Sequence, residues 1–444
     1  MAAGCETILQ TGQSMNHQWL FLLLISGIVS CGNCVAQTYT DSNNGIGEAL
    51  KFTVITDIHY LSPRLAEAGK ALSNFEEASG RKTHELHEVL HQVLADLGKE
   101  APHLLLVSGD LTNHGERQSH LDLIELLRPI QKAGTRIFVI PGNHDVNIPD
   151  ARAYKGDTSS RVEGITPGEF AQFYGEFGYD HALRRDSASL SYLAEIGEKT
   201  WLLAIDSNRY QEYQTTSVSA GRILPETLAW ALQILREAKE KGITVLGMMH
   251  HGLVEHMPNQ EAFFPDYLVD DWKGLAGSLA DAGLDVIFTG HFHANDITLF
   301  TSAAGNKIYD VETASLAQYP FAYRIMHLQG KKLSIDTRFV TSIPGNLNLE
   351  GESRSRLEAL TRRAAKHRLK IPGFPVLEEV SKSLIDMIVQ LNLMHVRGDE
   401  TDNPRLQESI ALFEAMMGAE AETGSFTFDF PPADNDVILT IGED

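Results

Sequence analysis

The stretch KFTVITDIHY, residues 51–60, places a β-branched apolar run directly before an aspartate and a histidine. The run Phe52–Thr56 has the length and composition of a buried strand. In an open α/β sheet, ligands bind beyond the carboxyl ends of the strands. Asp57 and His59 therefore occupy the position at which such a sheet carries its functional groups.

Four later segments repeat this arrangement. The apolar runs that precede them are Leu104–Ser108, Arg136–Ile140, Thr244–Met249 and Val286–Thr289. The motifs that follow these runs are Gly109-Asp110, Gly142-Asn143-His144-Asp145, His250-His251 and Gly290-His291-Phe292-His293. Helical periodicity between the runs, as over Thr83–Gly98, predicts an α/β core. The five motifs are then expected to converge on one crevice.

The donor atoms of these motifs are imidazole nitrogens together with carboxylate and amide oxygens. This mixture suits Mn, Fe or Zn, whereas an all-oxygen set would indicate Mg or Ca. There are enough donors for two ions and too many for one. Two ions about 3.5–4 Å apart can clamp the attacking and leaving oxygens of a phosphoryl displacement. The sequence therefore predicts a dinuclear metal centre.

Taken together, the five motifs resemble those of the calcineurin-like metallophosphoesterase superfamily, over roughly Lys51 to Val340. The resemblance implies an α/β fold, a four-layer αββα sandwich, with two divalent metal ions (Mn, Fe or Zn). It also implies attack on the phosphoester by a metal-bridging hydroxide, with Asp110 shared by both ions. The metal ligands that it implies are Asp57, His59, Asp110, Asn143, His250, His291 and His293.

Two further residues of the motifs are implied to act beside the metals. By resemblance, His144 is a general acid or stabilises the transition state, and Asp145 orients its ring. His250 is preferred over His251 as a ligand, because the family motif places its ligand directly after the strand.

The motifs are more similar to the phosphodiesterase branch of the superfamily than to its phosphatases. Protein Ser/Thr phosphatases carry an Asp-Arg pair after the second motif, where Leu111–Gly115 stands here, and end the third motif in Glu, where Asp145 stands. Purple acid phosphatases carry a tyrosine where Asn113 stands. Tyr60 and the helical C-terminal region resemble bacterial 3′,5′-cyclic-nucleotide phosphodiesterases. The implied substrate is a small phosphodiester, a cyclic nucleotide. A phosphomonoesterase or nucleotide pyrophosphatase is the alternative, and a catalytically silent surface binding protein is the second.

Five side chains are candidates for substrate contact: Tyr60, Asn113, His251, Phe264 and Tyr267. The last two lie in an aromatic loop, Gly252–Trp272, that could stack a nucleobase. Packing of this loop onto the core is an equally good explanation of its aromatic residues.

Composition limits the class of protein and of partner. The chain is 43% hydrophobic and 22% charged, which is typical of a globular protein and excludes wholesale disorder and a multi-span membrane protein. The formal net charge of −22 repels nucleic acid and anionic lipid, so no nucleic acid partner is expected. The oligomeric state is left open by the sequence.

The N-terminal segment is expected to direct export. Residues 1–36 contain the run WLFLLLISGIVS, residues 19–30, which is too short to span a membrane but fits the core of a signal peptide. Ile28-Val29-Ser30-Cys31 resembles a bacterial lipobox and implies a membrane-anchored lipoprotein. Cleavage after Ala36, which would give a secreted or periplasmic protein, and a buried N-terminal helix are the alternatives.

The body of the chain divides into two predicted units behind a polar tether, residues 37–50. Residues 51–345 form the predicted catalytic domain. Residues 352–444 form a small helical C-terminal domain with an acidic tail, part of which is expected to dock through Val437–Ile441. Its predicted helices are Glu352–Leu369, Val376–Met394 and Pro404–Met417.

Overall fold

The computed structural model describes residues 49–257, 260–368, 378–401, 404, 406–408 and 433–442. The predicted signal peptide, most of the tether and most of the third predicted C-terminal helix lie outside these residues. Within these ranges, none of the helices combines the length and the apolar composition that crossing a lipid bilayer requires.

Helices separate the strands from β1 to β3 and from β8 to β10, whereas β10 to β14 follow one another without a helix between them. The strands are β1 (Leu50–Ile55), β2 (Leu104–Val107), β3 (Arg136–Val139), β4 (Arg152–Lys155), β5 (Thr158–Arg161), β6 (Arg184–Arg185), β7 (Tyr192–Gly197), β8 (Thr200–Ile205), β9 (Thr244–Met249), β10 (Val286–Thr289), β11 (Asp296–Thr301), β12 (Lys307–Glu312), β13 (Ala322–Gln329), β14 (Lys332–Phe339) and β15 (Asp436–Thr440). The helices are α1 (Lys70–Ser79), α2 (Thr83–Glu100), α3 (Arg117–Lys132), α4 (Pro167–Phe173), α5 (Pro225–Lys241), α6 (Gln260–Phe263), α7 (Trp272–Ala282), α8 (Leu349–Arg368) and α9 (Glu378–Arg397).

Two mixed sheets carry the motifs. The first has the order β15-β14-β13-β1-β2-β3, and the second has the order β11-β12-β10-β9-β8-β7-β6. β1, β2 and β3 are mutually parallel, and so are β8, β9, β10 and β12. The strands that precede the motifs are therefore neighbours, three in one sheet and two in the other, with their carboxyl ends at one edge.

Side-chain alternation in the strands defines the layers. In β8, Leu202 and Ala204 pack in the same core as Phe52 of the first sheet, whereas Leu203 and Ile205 pack in a second core with α5 and α7. The rings of Phe52 and Phe288 meet between the sheets at 5.5 Å. Apolar residues of α2 and α3 join the first core from the other side. The predicted four-layer αββα sandwich is confirmed.

The C-terminal region packs on this sandwich and returns to it. α8 and α9 share a small apolar core with Tyr319. Arg356 of α8 forms an ion pair with Glu85 of α2. β15 then pairs antiparallel with β14 at the edge of the first sheet, where the sequence indicated that the tail docks. The boundary between a catalytic and a helical unit stays a prediction.

Candidate metal centre

The seven predicted ligands meet where the two sheets adjoin. The loops after β1, β2 and β3 supply four of them, and the loops after β9 and β10 supply the other three. Six of the seven, together with His144, form three groups that share members: Asp57/His59/His293, His59/Asp110/His144 and Asp110/His250/His291. Within each group, one nitrogen or oxygen atom of each residue lies within 4.8 Å of the others.

Asp110 lies between the other ligands. Its Oδ2 atom is 3.6 Å from Nε2 of His59, and its Oδ1 atom is 3.4 Å from Nε2 of His250. Oδ1 also accepts a hydrogen bond from the main-chain N–H of His144, at 2.8 Å. One carboxylate therefore faces ligands from both sheets, as a bridging ligand must.

The first group fits a cation. Nε2 of His293 lies 3.1 Å from Oδ1 of Asp57 and 3.3 Å from Nε2 of His59. Two imidazole nitrogens at that distance can share one proton or face one cation. Imidazole nitrogen with carboxylate oxygen is the donor set of Zn, Mn or Fe.

The third group, Asp110/His250/His291, also fits a cation, because the tautomers of its two histidines leave one ring nitrogen of each free to coordinate. Nδ1 of His250 donates to the carbonyl oxygen of Ser108 at 2.9 Å, so Nε2 of the neutral ring carries a lone pair. This lone pair faces Oδ1 of Asn143 at 3.1 Å and Oδ1 of Asp110 at 3.4 Å. Nε2 of His291 donates to the carbonyl oxygen of Asp266 at 3.0 Å, which leaves its Nδ1 for coordination. Lone pairs that converge in this way require a positive charge between them.

The electrostatics keep the carboxylates ionised. Burial alone would raise the pKa of Asp57, but the neighbouring His293 brings that pKa below its usual value. Burial would likewise raise the pKa of Asp110, and His250 brings it well below the usual value. Burial would lower the pKa of His250, yet the Asp110 charge raises it to about 9. Burial lowers the pKa of His59, which keeps that ring neutral. These are the protonation states that metal ligands need, apart from the proton on His250 that a cation would displace.

His144 lies beside Asp110, but Asp145 does not orient the ring of His144. Nε2 of His144 is 4.0 Å from Oδ2 of Asp110, and its side chain is 20% exposed. The Asp145 carboxylate accepts instead from the main-chain N–H groups of Leu111, Thr112 and Gly142, at 3.1, 2.9 and 2.7 Å. The predicted role of Asp145 is thus corrected: it ties together the loops after β2 and β3. Adjacent residues of this turn point in different directions.

Three of the predicted substrate contacts lie in enclosed positions. His251 is fully buried, and its nitrogens bond to the Ser207 hydroxyl at 2.8 Å and the Ser219 carbonyl at 2.9 Å. The prediction that His251 contacts substrate is corrected, because both of its polar atoms are used. Tyr60 packs against His87 with ring centres 5.0 Å apart.

Asn113 has its amide 3.3 Å from the carboxylate of Glu116. Substrate contact by Tyr60 and Asn113 stays a prediction.

The two aromatic candidates surround the turn that carries two ligands. The ring of Tyr267 lies 5.0 Å from that of His291 and 4.5 Å from that of Phe292. The ring of Phe264 lies 5.5 Å from that of Phe292. These contacts agree with the packing explanation of the loop, and stacking on a base stays a prediction.

Sequence analysis overlooked Arg81, which lies between α1 and α2. Its Nη1 atom is buried and has no hydrogen-bond partner among the described residues. Burial lowers the pKa of His59, and the positive charge of Arg81 lowers it further. Burial lowers the pKa values of His144 and His114 as well, and the positive charge of Arg81 lowers both further. The rings of these two histidines lie 4.8 Å apart. Arg81 follows a helix rather than a strand, so no motif marked it.

Gln318 is a second contact that was overlooked. Its side-chain amide lies 2.8 Å from Nδ1 of His293 and so holds that ring from behind. Gln318 is far from the motifs along the chain, and only the fold brings it to them.

Comparison with known proteins gives matches of different extent. The family model described as calcineurin-like phosphoesterase matches residues 50–295. A protein described as a probable cyclic nucleotide phosphodiesterase, from Ruthia magnifica subsp. Calyptogena magnifica, is 35% identical over 77 residues. That alignment covers 17% of this chain and 30% of the relative, so the chain spans under a third of that protein's length.

Two solved structures are similar in part. A dimetal phosphatase from Danio rerio aligns with a TM-score of 0.44 at 12% identity, covering 66% of this chain and 97% of that one. A putative 5′-nucleotidase from Staphylococcus aureus aligns with a TM-score of 0.39 at 10% identity, covering 63% and 51%. The family match spans more than half of the sequence and contains all of the metal-ligand motifs. The chain therefore belongs to the calcineurin-like phosphoesterase family.

Proposed function

We propose that this protein is a dinuclear-metal phosphodiesterase that hydrolyses 3′,5′-cyclic nucleotides to nucleoside monophosphates. The observation that carries the proposal is the position of Asp110, whose two carboxylate oxygens face His59 and His250 from opposite sheets. A carboxylate shared in this way serves two adjacent cations rather than one.

The residues that would hold the cations follow from the groups above. Asp57, His59 and His293 would hold one, and Asn143, His250 and His291 the other, with Asp110 common to both. Two divalent cations at these positions would supply Lewis acidity toward the phosphoryl oxygens and the leaving oxygen. The donor set admits Mn, Fe or Zn.

His144 is the side chain placed to act on the leaving oxygen. Burial lowers its pKa, although the Asp110 charge acts in the opposite direction, so the ring must take up a second proton before it can act as a general acid. Nε2 of the ring is directed toward Asp110, and with Nε2 protonated it can donate to an oxygen of the bound phosphoester. A sugar alkoxide needs a proton as it leaves, and general acids typically contribute about 10²–10⁴-fold to such steps. The Arg81 charge would hold the phosphoester anion nearby.

The choice of a cyclic nucleotide as substrate has two supports. One is the resemblance of the motifs and the helical C-terminal region to bacterial cyclic-nucleotide phosphodiesterases. The other is the local identity to a probable enzyme of that kind. Phosphomonoester or nucleotide pyrophosphate hydrolysis and a silent binding role are the competing functions.

The test is a substrate panel with the purified chain and added Mn²⁺. We expect turnover of 3′,5′-cyclic AMP and bis(p-nitrophenyl) phosphate to exceed turnover of p-nitrophenyl phosphate. Preference for the monoester would favour the phosphatase alternative. Two bound ions without turnover of any of the three would favour a binding protein.

The variant His144→Ala tests the role of the histidine. We expect it to slow cyclic-nucleotide hydrolysis by about 10²–10⁴-fold. Hydrolysis of bis(p-nitrophenyl) phosphate should fall far less, because nitrophenolate leaves without a proton. Metal content, measured on the same samples, should not change. An equal loss on both substrates would remove His144 from the role of general acid.

We also propose export and membrane anchoring through a lipid on Cys31. The support is the lipobox-like sequence at residues 28–31. Fractionation of cells that carry Cys31→Ala tests this proposal, since unchanged membrane association would contradict it.

A further inference from the structure

A second cluster of potential metal ligands lies outside the dinuclear centre. One nitrogen or oxygen atom from each of Asp296, His395 and Glu400 lies within 4.8 Å of the other two. Asp296 begins β11, His395 lies in the last turn of α9, and Glu400 lies just beyond that helix. The cluster therefore joins the second sheet to the helical region.

Two atoms of this cluster are buried and lack hydrogen-bond partners among the described residues. Asp296 accepts through Oδ2 from His256 at 2.6 Å and from Thr298 at 2.8 Å, whereas its Oδ1 accepts from none. His395 has Nδ1 3.0 Å from Oε1 of Glu400, whereas its Nε2 has no partner. The side chains of Asp296, His395 and Glu400 are only 1%, 7% and 5% exposed. Buried polar atoms without partners are costly, and a bound cation would provide the missing partner of Oδ1 of Asp296. The same cation would replace the proton between Nδ1 of His395 and Oε1 of Glu400, because Nε2 lies on the other side of the ring.

The surroundings contain many buried carboxylates. These are Asp296, Asp310, Glu312, Glu400 and Asp434. Burial raises the pKa of Asp434 to about 8, and the negative charges of Asp296 and Glu400 raise it as well. Burial raises the pKa of Glu312 well above its usual value as well, so Glu312 and Asp434 keep their protons at neutral pH.

Two cationic side chains, His256 and Arg324, lie among these carboxyl groups. His256 lies among Asp296, Asp310 and Glu312, with ring nitrogens 2.6, 3.2 and 3.6 Å from their oxygens. Arg324 instead directs its guanidinium at hydroxyl and main-chain carbonyl oxygens. It therefore pairs with none of the carboxylates by a side-chain hydrogen bond.

We propose that Asp296, His395 and Glu400 bind a third divalent metal ion. One imidazole and two carboxylates form a donor set that suits Mn²⁺ or Zn²⁺. Ligands bound at about 2.0–2.2 Å from one ion lie about 3–4 Å from each other, so small side-chain rotations complete the site. Because all three side chains are enclosed, the ion is structural rather than catalytic.

The position of this ion gives the helical region a role. The ring of His395 lies 5.3 Å from that of Phe292, which stands between His291 and His293. The ion would fix the end of α9 against the turn that carries two ligands of the dinuclear centre. The proposal does not depend on which phosphoester the protein hydrolyses.

The experiment compares metal stoichiometry in the full-length wild type and in Glu400→Gln, both loaded with Mn²⁺ and desalted. Glutamine keeps an oxygen that can accept from His395 but removes the charge and weakens the ligand. Glu85→Gln is the matched control, because Glu85 is also a buried glutamate at the contact with the helical region, paired with Arg356. Asp110→Asn separates this site from the dinuclear centre.

We expect three ions per chain in the wild type and in the Glu85 variant, and two in Glu400→Gln. Bis(p-nitrophenyl) phosphate turnover of Glu400→Gln should remain within about twofold of the wild type. Asp110→Asn should keep an isolated Mn²⁺, visible by electron paramagnetic resonance, whether or not the protein hydrolyses cyclic nucleotides.

Two results would overturn the proposal. One is a wild type that binds only two ions, as expected if His395 merely forms a hydrogen bond with Glu400. The other is a third ion that persists in Glu400→Gln. If that variant does not fold, anomalous diffraction from Mn²⁺-soaked wild-type crystals replaces it. A peak between Asp296, His395 and Glu400 would support the site, and the absence of a peak would overturn the proposal.

Discussion

The substitution Gly142→Ala tests whether the loops after β2 and β3 must touch for the metal centre to form. A β-carbon added at Gly142 would lie 2.2 Å from the main-chain nitrogen of Asp110 and 2.2 Å from its Oδ1. Ordinary contacts of a β-carbon begin at 3.4 Å. One of the two loops must therefore move by about 1 Å, since Asp110 presents main chain and carboxylate rather than a flexible side-chain end.

Both stability and metal binding should respond. Overpacking of this kind typically costs about 1–3 kcal/mol of unfolding free energy. The atom displaced is an oxygen of the shared ligand. We therefore expect the Mn²⁺ affinity to fall by about 10–100-fold, the range typical of changes that misplace a metal ligand.

The assay is urea unfolding together with Mn²⁺ titration of the metal-stripped protein. Gly98→Ala in the last turn of α2 is the control, because a β-carbon there meets no atom within 4 Å. That control should leave Mn²⁺ affinity unchanged and should stabilise the fold by about 0.5–1 kcal/mol, as Ala does relative to Gly in a helix. If Gly142→Ala keeps wild-type affinity and stability, the close approach of the two loops is not required.

Two further outcomes are expected. Asp110→Asn should lower metal occupancy at both positions of the dinuclear centre and reduce turnover by orders of magnitude. A variant that retains both ions and near-normal rates would contradict the assignment of Asp110 as the bridging ligand. Burial raises the pKa of Glu116 from 4.5 to about 7, so the folded protein keeps a proton that the unfolded chain has released. As the pH rises from 4.5 to 7, the unfolding free energy of the wild type should therefore fall by about 3 kcal/mol relative to that of Glu116→Gln. A pH-independent difference in unfolding free energy between the two proteins would show that this carboxyl is not shifted.

The central strands were predictable because apolar, β-branched runs end where polar residues begin. β9 and β10 coincide with the predicted runs, and β1 extends from Leu50 rather than Phe52. β11 was not predicted, because it directly follows the metal-ligand turn and its first residue, Asp296, is polar like Asn295 before it. β15 pairs with β14 across more than 90 residues of chain, and no local pattern specifies such a partner.

The ligands were easier to predict than the residues that hold them. A ligand must be Asp, His or Asn at a strand end, and residue type with position is visible in sequence. The supports of these ligands include main-chain atoms and distant side chains, such as the carbonyl of Ser108 behind His250 and the amide of Gln318 behind His293. Those contacts depend on how two sheets meet. The role of Asp145 was misassigned for this reason, since adjacency in sequence to His144 does not give the direction of its side chain.

The backbone at the dinuclear centre is strained at several of the residues that supply metal ligands. Five predicted ligands adopt the left-handed conformation that glycine usually occupies: Asp57, His59, Asp110, His291 and His293, with φ of 49°, 46°, 48°, 74° and 63°. Each such residue costs about 1–2 kcal/mol, and glycine would relieve that strain while removing the donor atom. Strain of this kind persists only where surrounding structure holds it, and here two sheets and their hydrogen-bonded loops do so. This strain destabilises the metal-free fold, in which His250 holds a proton in place of a cation because its pKa is raised to about 9. Metal binding offsets the strain, and the stability of the sheet junction is expected to depend on the ions that the proposed reaction requires.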